Sequence, residues 1–299
     1  MAFSFSILGS GSMGNCTLVK LNGNGPARHV LIDAGLSPRA TSKRLSPLGL
    51  TLNDIDDILF THLDHDHCCP TWVNAASRHD ITLHVHRRQR SRMQRDGWSF
   101  ERVALFEDSV ELAGMDATRI QSVPFAHDQL GTVGFVVEHA GARLGFATDL
   151  GRVPPWLYEV FVDLDALALE SNYDRRMQLD SGRPVQLKKR IMGGSGHLSN
   201  DESLEAALRI AERSDLRCIA LLHLSRQCNC PTLVQKLYAD RAPHLAPLLT
   251  VSDQFEATPM LDVPAPKKRG ERRPLPKAAQ IELLPFFVAK SAPTVHGHA

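Results

Sequence analysis

Five short apolar runs in this chain end on a carboxylate or an imidazole. Val30-Leu31-Ile32 runs into Asp33, and Ile58-Leu59-Phe60-Thr61 runs into His62. Leu144 to Thr148 leads to Asp149, Ala166 to Leu169 leads to Glu170, and Cys218 to Leu222 leads to His223. Continuous apolar runs of this length suit strands covered on both faces. Phe3, Phe5 and Ile7 instead alternate with serine, the period of a half-buried strand. Val133 to Val137 adds another apolar run. Helical patterns lie between some of the strands. The clearest opens at Ser199, which with Glu202 spells a capping box ahead of an apolar stripe of Leu204, Ala207, Leu208 and Ala211. Strands with helices outside them predict a layered α/β architecture, in which sites gather where strand ends meet loops. Polar residues end strands in any protein, which accounts for one or two such endings but not for five with this choice of residues.

Composition narrows the class. The chain has 299 residues, 43% apolar and 22% charged, ordinary for a globular protein. Nothing approaches the ~18 consecutive apolar residues of a membrane span. The start lacks the basic and apolar regions of a secretory signal, so a cytoplasmic location is expected. The 6 cysteines are too sparse for a disulfide scaffold and read as reduced thiols. Residues 262–299 hold seven cations against three anions, a net charge of +4, which leaves the remainder near −3. The division expected from this shift is a hydrolase-like domain over 1–261 and a Pro/Lys/Arg-rich, disordered basic tail over 262–299.

The densest cluster of chemistry-bearing residues is Thr61-His62-Leu63-Asp64-His65-Asp66-His67. Three imidazoles and two carboxylates in six residues can converge from a turning loop on one ion. Imidazole suits Zn, Fe and Mn, and carboxylate oxygen pulls toward harder metals. A polar loop with surface histidines is the plainer reading of this segment taken alone.

Further motifs occur in order along the chain. They are Leu8-Gly9-Ser10-Gly11-Ser12-Met13-Gly14-Asn15-Cys16, Leu31-Ile32-Asp33-Ala34-Gly35, His127-Asp128 before Val133-Gly134-Phe135, and Ala147-Thr148-Asp149. Glu170-Ser171-Asn172, Gly196-His197-Leu198-Ser199-Asn200 and His223-Leu224-Ser225 complete the set. Together with the His62 segment, which is similar to H-x-H-x-D-H, they resemble the metallo-β-lactamase superfamily and, within it, the YycJ/WalJ-like group. The resemblance runs over roughly residues 3–245. It implies an αββα sandwich with two divalent metal ions (Zn, Mn or Fe) at one edge. One metal would take His62, Asp64 and His127, the other Asp66, His67 and His223, with Asp149 between them. Asp33 and Glu170 would hold the ligands in place from behind. Asp64 stands where the family has a second His, which predicts weaker preference for Zn and more tolerance of Mn or Fe. A local shift that brings in His65, or a site with one good metal position, are the alternatives. Tyr173 stands where the group often has His.

The chemistry so implied is that of a metal-dependent phosphodiesterase, a DNA exonuclease of repair or replication that uses a hydroxide held between two metals. Asp66 or Asp149 would orient the water, and His197 would protonate the leaving oxygen. A helix-start residue beside the Ser199 cap is the other reading of His197. Arg87, Arg88, Arg90, Arg92 and Arg95, with Lys188, Lys189 and Arg190, are candidate contacts to nucleic acid, although taken alone such a run is better explained as a solvated helix face. An adaptor with a decayed metal site and a small-ester hydrolase are the competing functions. Cys68, Cys69, Cys228 and Cys230 lack zinc-finger spacing and read as packing residues. In the tail, Gln280-Ile281-Glu282-Leu283-Leu284-Pro285-Phe286-Phe287 resembles the peptides by which bacterial repair proteins dock on the sliding clamp. Gln280, Leu283, Leu284, Phe286 and Phe287 would fill the clamp's pocket. Folding back on the body is the alternative for this segment.

Overall fold

The computed structural model describes residues 2–23 and 25–263. The segment 280–287, with its clamp-docking candidates, lies outside them. The first sheet opens with β1 (Phe3–Gly9), β2 (Cys16–Leu21), β3 (Arg28–Ile32), β4 (Asp57–Leu59), β5 (Thr82–His86) and β6 (Val103–Phe106). The second holds β7 (Ser109–Val110), β8 (Thr118–Phe125), β9 (Thr132–His139), β10 (Ala142–Ala147), β11 (Ala166–Glu170), β12 (Cys218–Leu222) and β13 (Leu249–Val251). The last described strand, β14 (Leu261–Val263), returns to pair with β1, so the first sheet runs β14-β1-β2-β3-β4-β5-β6. It contains Asp262 and Val263, the first two residues assigned to the tail on composition.

Both sheets are mixed in the same way. In the first, β1, β2 and β3 pair antiparallel and β3 to β6 parallel. In the second, β7 to β10 pair antiparallel and β10 to β13 parallel. Parallel neighbours need crossovers, and these supply the outer helices. α1 (Pro38–Leu45), α2 (Trp72–His79) and α3 (Arg90–Arg95) belong to the first half. α4 (Leu157–Val160), α5 (Arg175–Asp180), α6 (Val185–Met192), α7 (Asn200–Ala211) and α8 (Pro231–Arg241) belong to the second. Their starts carry the expected chemistry. Ser37 accepts the Ala40 N–H ahead of Pro38, and Ser199 with Glu202 forms the complete capping box.

Three apolar layers follow. Phe3, Phe5, Ile7, Phe135, Val137, Ala168 and Leu222 fill the space between the sheets. Leu45, Trp72, Ala76 and Met93 pack helices onto the first sheet, and Leu157, Leu204, Val234 and Tyr238 onto the second. The result is the αββα sandwich. One expectation fails in detail. β1 is buried on both faces, not half-buried. Its serines do not face water: the Ser6 hydroxyl donates to the Thr258 carbonyl at 2.7 Å, a satisfied bond inside the fold. No helix among the described residues is long and apolar enough to cross a membrane.

Candidate metal centre

All five strand-end residues lie past the carboxyl ends of parallel strands, three from each sheet once His67 is counted. Asp33 follows β3, and the 61–67 loop follows β4. Asp149 follows β10, Glu170 closes β11, and His223 follows β12. Asp33, Asp149 and His223 have φ of 61°, 54° and 58°. The left-handed region costs a non-glycine residue of order 1–3 kcal/mol and recurs where a fold aims side chains at a site. Here the chain turns sharply just past each strand and points that side chain into the seam between the sheets. Gly35 allows the seam to close, since a Cβ there would lie 1.8 Å from the Asp66 carbonyl oxygen.

The side chains converge in overlapping sets whose donor atoms all lie within 4.8 Å of one another. They are His62 with Asp64 and His127, His62 with His67 and Asp149, Asp66 with His67 and His223, and Asp149 with Glu170, His197 and His223. Asp149 is the hub. Its Oδ2 is 2.8 Å from His67 Nε2, 3.3 Å from His62 Nε2 and 3.9 Å from His127 Nε2, and its Oδ1 is 2.8 Å from His223 Nδ1. The His223 Nε2 lies 3.3 Å from Asp66 Oδ2. Burial disfavours the ionised Asp66, but His67 and His223 outweigh it and hold the carboxyl at about 2.

Ring orientation is fixed from behind. His67 Nδ1–H donates to Asp33 Oδ2 at 2.7 Å. Asp33 also accepts the Thr61 N–H at 2.8 Å and the Thr61 hydroxyl at 2.9 Å, which leaves that hydroxyl to accept from His62 Nδ1–H at 3.0 Å. His127 Nδ1–H donates to the Gly196 carbonyl at 3.1 Å. These bonds set the tautomer in which each Nε2 lone pair faces the cluster, the arrangement seen behind metal-ligating histidines. His62 Nε2 is then buried with no hydrogen-bond partner among the described residues. Orphaned buried acceptors of this kind are costly unless a cation takes them. The donor set of imidazole nitrogens and carboxylate oxygens therefore fits divalent metal.

Asp64 enters this cluster as an oxygen donor. Its Oδ2 is 3.7 Å from His62 Nε2, and its Oδ1 accepts from Arg92, which holds the carboxylate in place. His65 is exposed and belongs to none of the sets. Glu170 is fully buried and grips both halves of the second group. Its Oε1 accepts from His197 Nδ1 at 2.7 Å and lies 3.2 Å from His223 Nδ1, while Oε2 accepts the N–H groups of Leu150 and Leu198. Burial works against a charged His197, but the Glu170 and Asp149 carboxylates prevail and raise it to about 9. The opening loop ties the halves together. Asn15 Nδ2 lies 2.9 Å from His67 Nε2, and the Ser10 hydroxyl accepts the His223 N–H at 2.7 Å.

Two clefts flank the cluster. One, of about 360 Å³, is lined by Asp66, Asp149, His197, His223 and Arg183, among others. The other, of about 430 Å³, is lined by His62, Gln89, Arg92, Arg95 and Leu130. Asp64, His127, Asp128 and Arg190 border both. Of the eight basic residues in the two clusters read from the sequence, Arg92, Arg95 and Arg190 line a cleft. Arg87 faces Glu107, Lys188 donates to the Leu179 carbonyl, and Arg88, Arg90 and Lys189 line neither cleft. Arg183 is the further cleft cation. Arg183 is held by the neutral groups of Gln178, Ser225 and Gln227, and no local pattern in the sequence singles it out. Cys68 and Cys228 are core residues, Cys69 contacts Thr71 Oγ1 at 3.1 Å, and Cys230 caps α8. All six thiols are free. Tyr173 packs with Ile191 and Cys228 and bridges to Ser199 through its backbone.

Comparisons with known proteins agree with this geometry. The model of a beta-lactamase superfamily domain matches residues 28–218. The chain is 28% identical over 238 residues to the exodeoxyribonuclease YycJ of Bacillus anthracis, covering 79% of this chain and 87% of that one. It is 26% identical over 237 residues to the exodeoxyribonuclease WalJ of Streptococcus pneumoniae, covering 78% and 86%. The metallo-β-lactamase-fold protein YhfI of Bacillus subtilis superposes with a TM-score of 0.64 at 12% identity, over 86% of this chain and 98% of that one.

Proposed function

Because the chain belongs to the metallo-β-lactamase superfamily and is a metal-dependent hydrolase, we propose that it is a phosphodiesterase that degrades DNA as an exonuclease, in repair or replication. The observation that carries the reading is the orphaned, inward-facing His62 Nε2, converging with His67 and Asp149 at the junction of two arginine-lined clefts. His62, Asp64 and His127 would hold one divalent ion, and Asp66, His67 and His223 a second, with Asp149 shared. Such ions lower the pKa of water to near neutrality and offset charge on a phosphodiester. The chain's own residues supply the rest. Asp33, Thr61 and the Gly196 carbonyl keep the imidazoles aimed. Asp66 and Asp149 orient the attacking water as hydrogen-bond acceptors. Arg92, Arg95, Arg183 and Arg190 line the path of a polyanion. His197, clamped at Nδ1 by Glu170, presents its other nitrogen as the proton source for the leaving oxygen.

Hydrolysis of end-labelled DNA, measured with metal content on the same sample, tests the reading. Release of mononucleotides that stops with chelator and returns with Mn or Zn is the expected result. Metal-loaded protein that cleaves small esters but no phosphodiester would overturn it. We further propose that the 262–299 tail tethers this domain to the sliding clamp through 280–287. Deleting 280–287 should abolish clamp binding and leave hydrolysis of short DNA unchanged. Loss of intrinsic activity on deletion would show the segment to be structural.

A further inference from the structure

Ser12, Ser225 and Gln227 line the metal cleft, and Met13 and Arg226 are their neighbours in the chain. Met13 is 61% exposed, and Phe255 is 51% exposed. The Arg226 guanidinium lies over the Phe255 ring, 4.8 Å from its centroid, and its Nη1 lies 3.6 Å from Met13 Sδ. Single exposed apolar side chains are ordinary. A methionine and a phenylalanine bridged by one guanidinium, with a buried glutamine bonded beneath them, are not.

The restraint is specific. Gln254 is buried beneath the group; its Oε1 accepts the Met13 N–H at 2.9 Å, and its Nε2 donates to the Gly14 carbonyl at 3.0 Å. Asp253 Oδ1 accepts the N–H groups of Phe255 and Glu256 at 2.6 and 3.0 Å, which folds the turn that displays the ring. Ser10 N–H donates to the Asp253 carbonyl at 3.0 Å, and the Ser10 hydroxyl in turn accepts the His223 N–H. The ring is thereby fixed relative to His223 by a short chain of hydrogen bonds.

An aromatic face under a guanidinium, with a polarizable thioether at its edge, is a surface for stacking flat rings. Nucleobases stack on aromatic side chains and on guanidinium planes, and the cation also answers the flanking phosphates. We propose that Met13, Arg226 and Phe255 form a stacking platform for one unpaired nucleobase of the substrate strand, beside the cleft that takes the scissile phosphate. The inference rests on the nucleic-acid reading above. It adds that the strand enters single-stranded, since a paired base keeps its faces covered within the duplex.

The test compares short single-stranded oligodeoxynucleotides with and without one abasic residue placed at successive positions, using the metal-loaded full chain. Phe255→Ala should raise KM for the intact strand about 5- to 150-fold, the range for loss of one stacked base. In the wild-type protein one abasic position should produce a similar rise, and in Phe255→Ala that same position should add nothing. Phe255→Trp should bind like wild type and show indole quenching on strand binding. If the wild type cleaves DNA but no abasic position matters, the platform alone is refuted. If the wild type hydrolyses bis(p-nitrophenyl) phosphate yet neither binds nor cleaves any oligonucleotide, the nucleic-acid reading is refuted and the platform with it.

Discussion

Strand β4 is only three residues long, yet it separates two buried clusters of carboxylate and imidazole with opposite characters. At its amino end, Asp57 is 1% exposed and fully answered. Arg28 Nε donates to Oδ2 at 2.6 Å, and His84 Nε2 lies 2.8 Å from Oδ1. Past its carboxyl end, His62 keeps a buried nitrogen without a partner among the described residues, and several carboxylates and imidazoles crowd into one cluster. The same residue types serve stability where the charges close on each other, and function where they leave room for a cation. In open α/β sheets that division follows strand polarity, since sites collect at carboxyl ends.

Substitutions can break this comparison. The largest effect is expected at the hub. Asp149→Asn should reduce hydrolysis to the chelator-treated background while thermal unfolding of the metal-free protein stays cooperative. Unfolding of that variant without metal would show that Asp149 is structural, like Asp57. His197→Ala should slow turnover about 10²–10⁴-fold, the usual span for general acid–base catalysis, with metal content unchanged. The loss should shrink on substrates with good leaving groups, and an equal loss on good and poor ones would remove the proton-donor role.

At the other end of β4, Asp57→Ala should leave metal binding intact and cost about 3–5 kcal/mol of stability by denaturant unfolding, since it strands Arg28 and His84. Acid should act there too. Burial disfavours the Asp57 carboxylate, but His84 and Arg28 hold its pKa below the ordinary value. Its stabilisation is therefore complete above pH ~4 and fades as pH falls through the lowered value. Asp57→Asn should flatten that acid branch of the stability curve. Thr61→Val, which removes the hydroxyl linking Asp33 to His62, should weaken metal affinity about 10- to 100-fold. The smallest change is a reordering. Asp64→His should raise affinity for Zn relative to Mn, and an unchanged ranking in metal titrations would place Asp64 outside the metal's contacts.

How much of this was legible depends on the reach of each interaction. The strand-end donors announce themselves, because a run of apolar residues and the polar residue that stops it are adjacent in the chain. The capping box at Ser199 is likewise local. β1 misled because Ser4 and Ser6 imitate a solvent face, while the partner that satisfies Ser6 is Thr258, 252 residues away. The basic run 87–95 misled in another way. Its cations point around a short helical segment, and only Arg92 and Arg95, three apart on one face, reach a cleft. Arg183 and Phe255 had no signal, since their surroundings come from loops that meet only in the folded chain. The Asp64 exchange was visible as a departure, but its brace by Arg92 was not.

The pairing of Asp66 with His223 has a consequence for the order of events during synthesis. The two lie 157 residues apart. At about 5–20 residues per second, roughly 8–30 s pass between their appearance from the ribosome. During that interval the 61–67 loop exists as a partial chelator with no second sheet to complete it. Any ion it meets then is bound by a flexible loop under the ordinary affinity ranking of free ligands. Selection by geometry begins only when β12 has been made and docked.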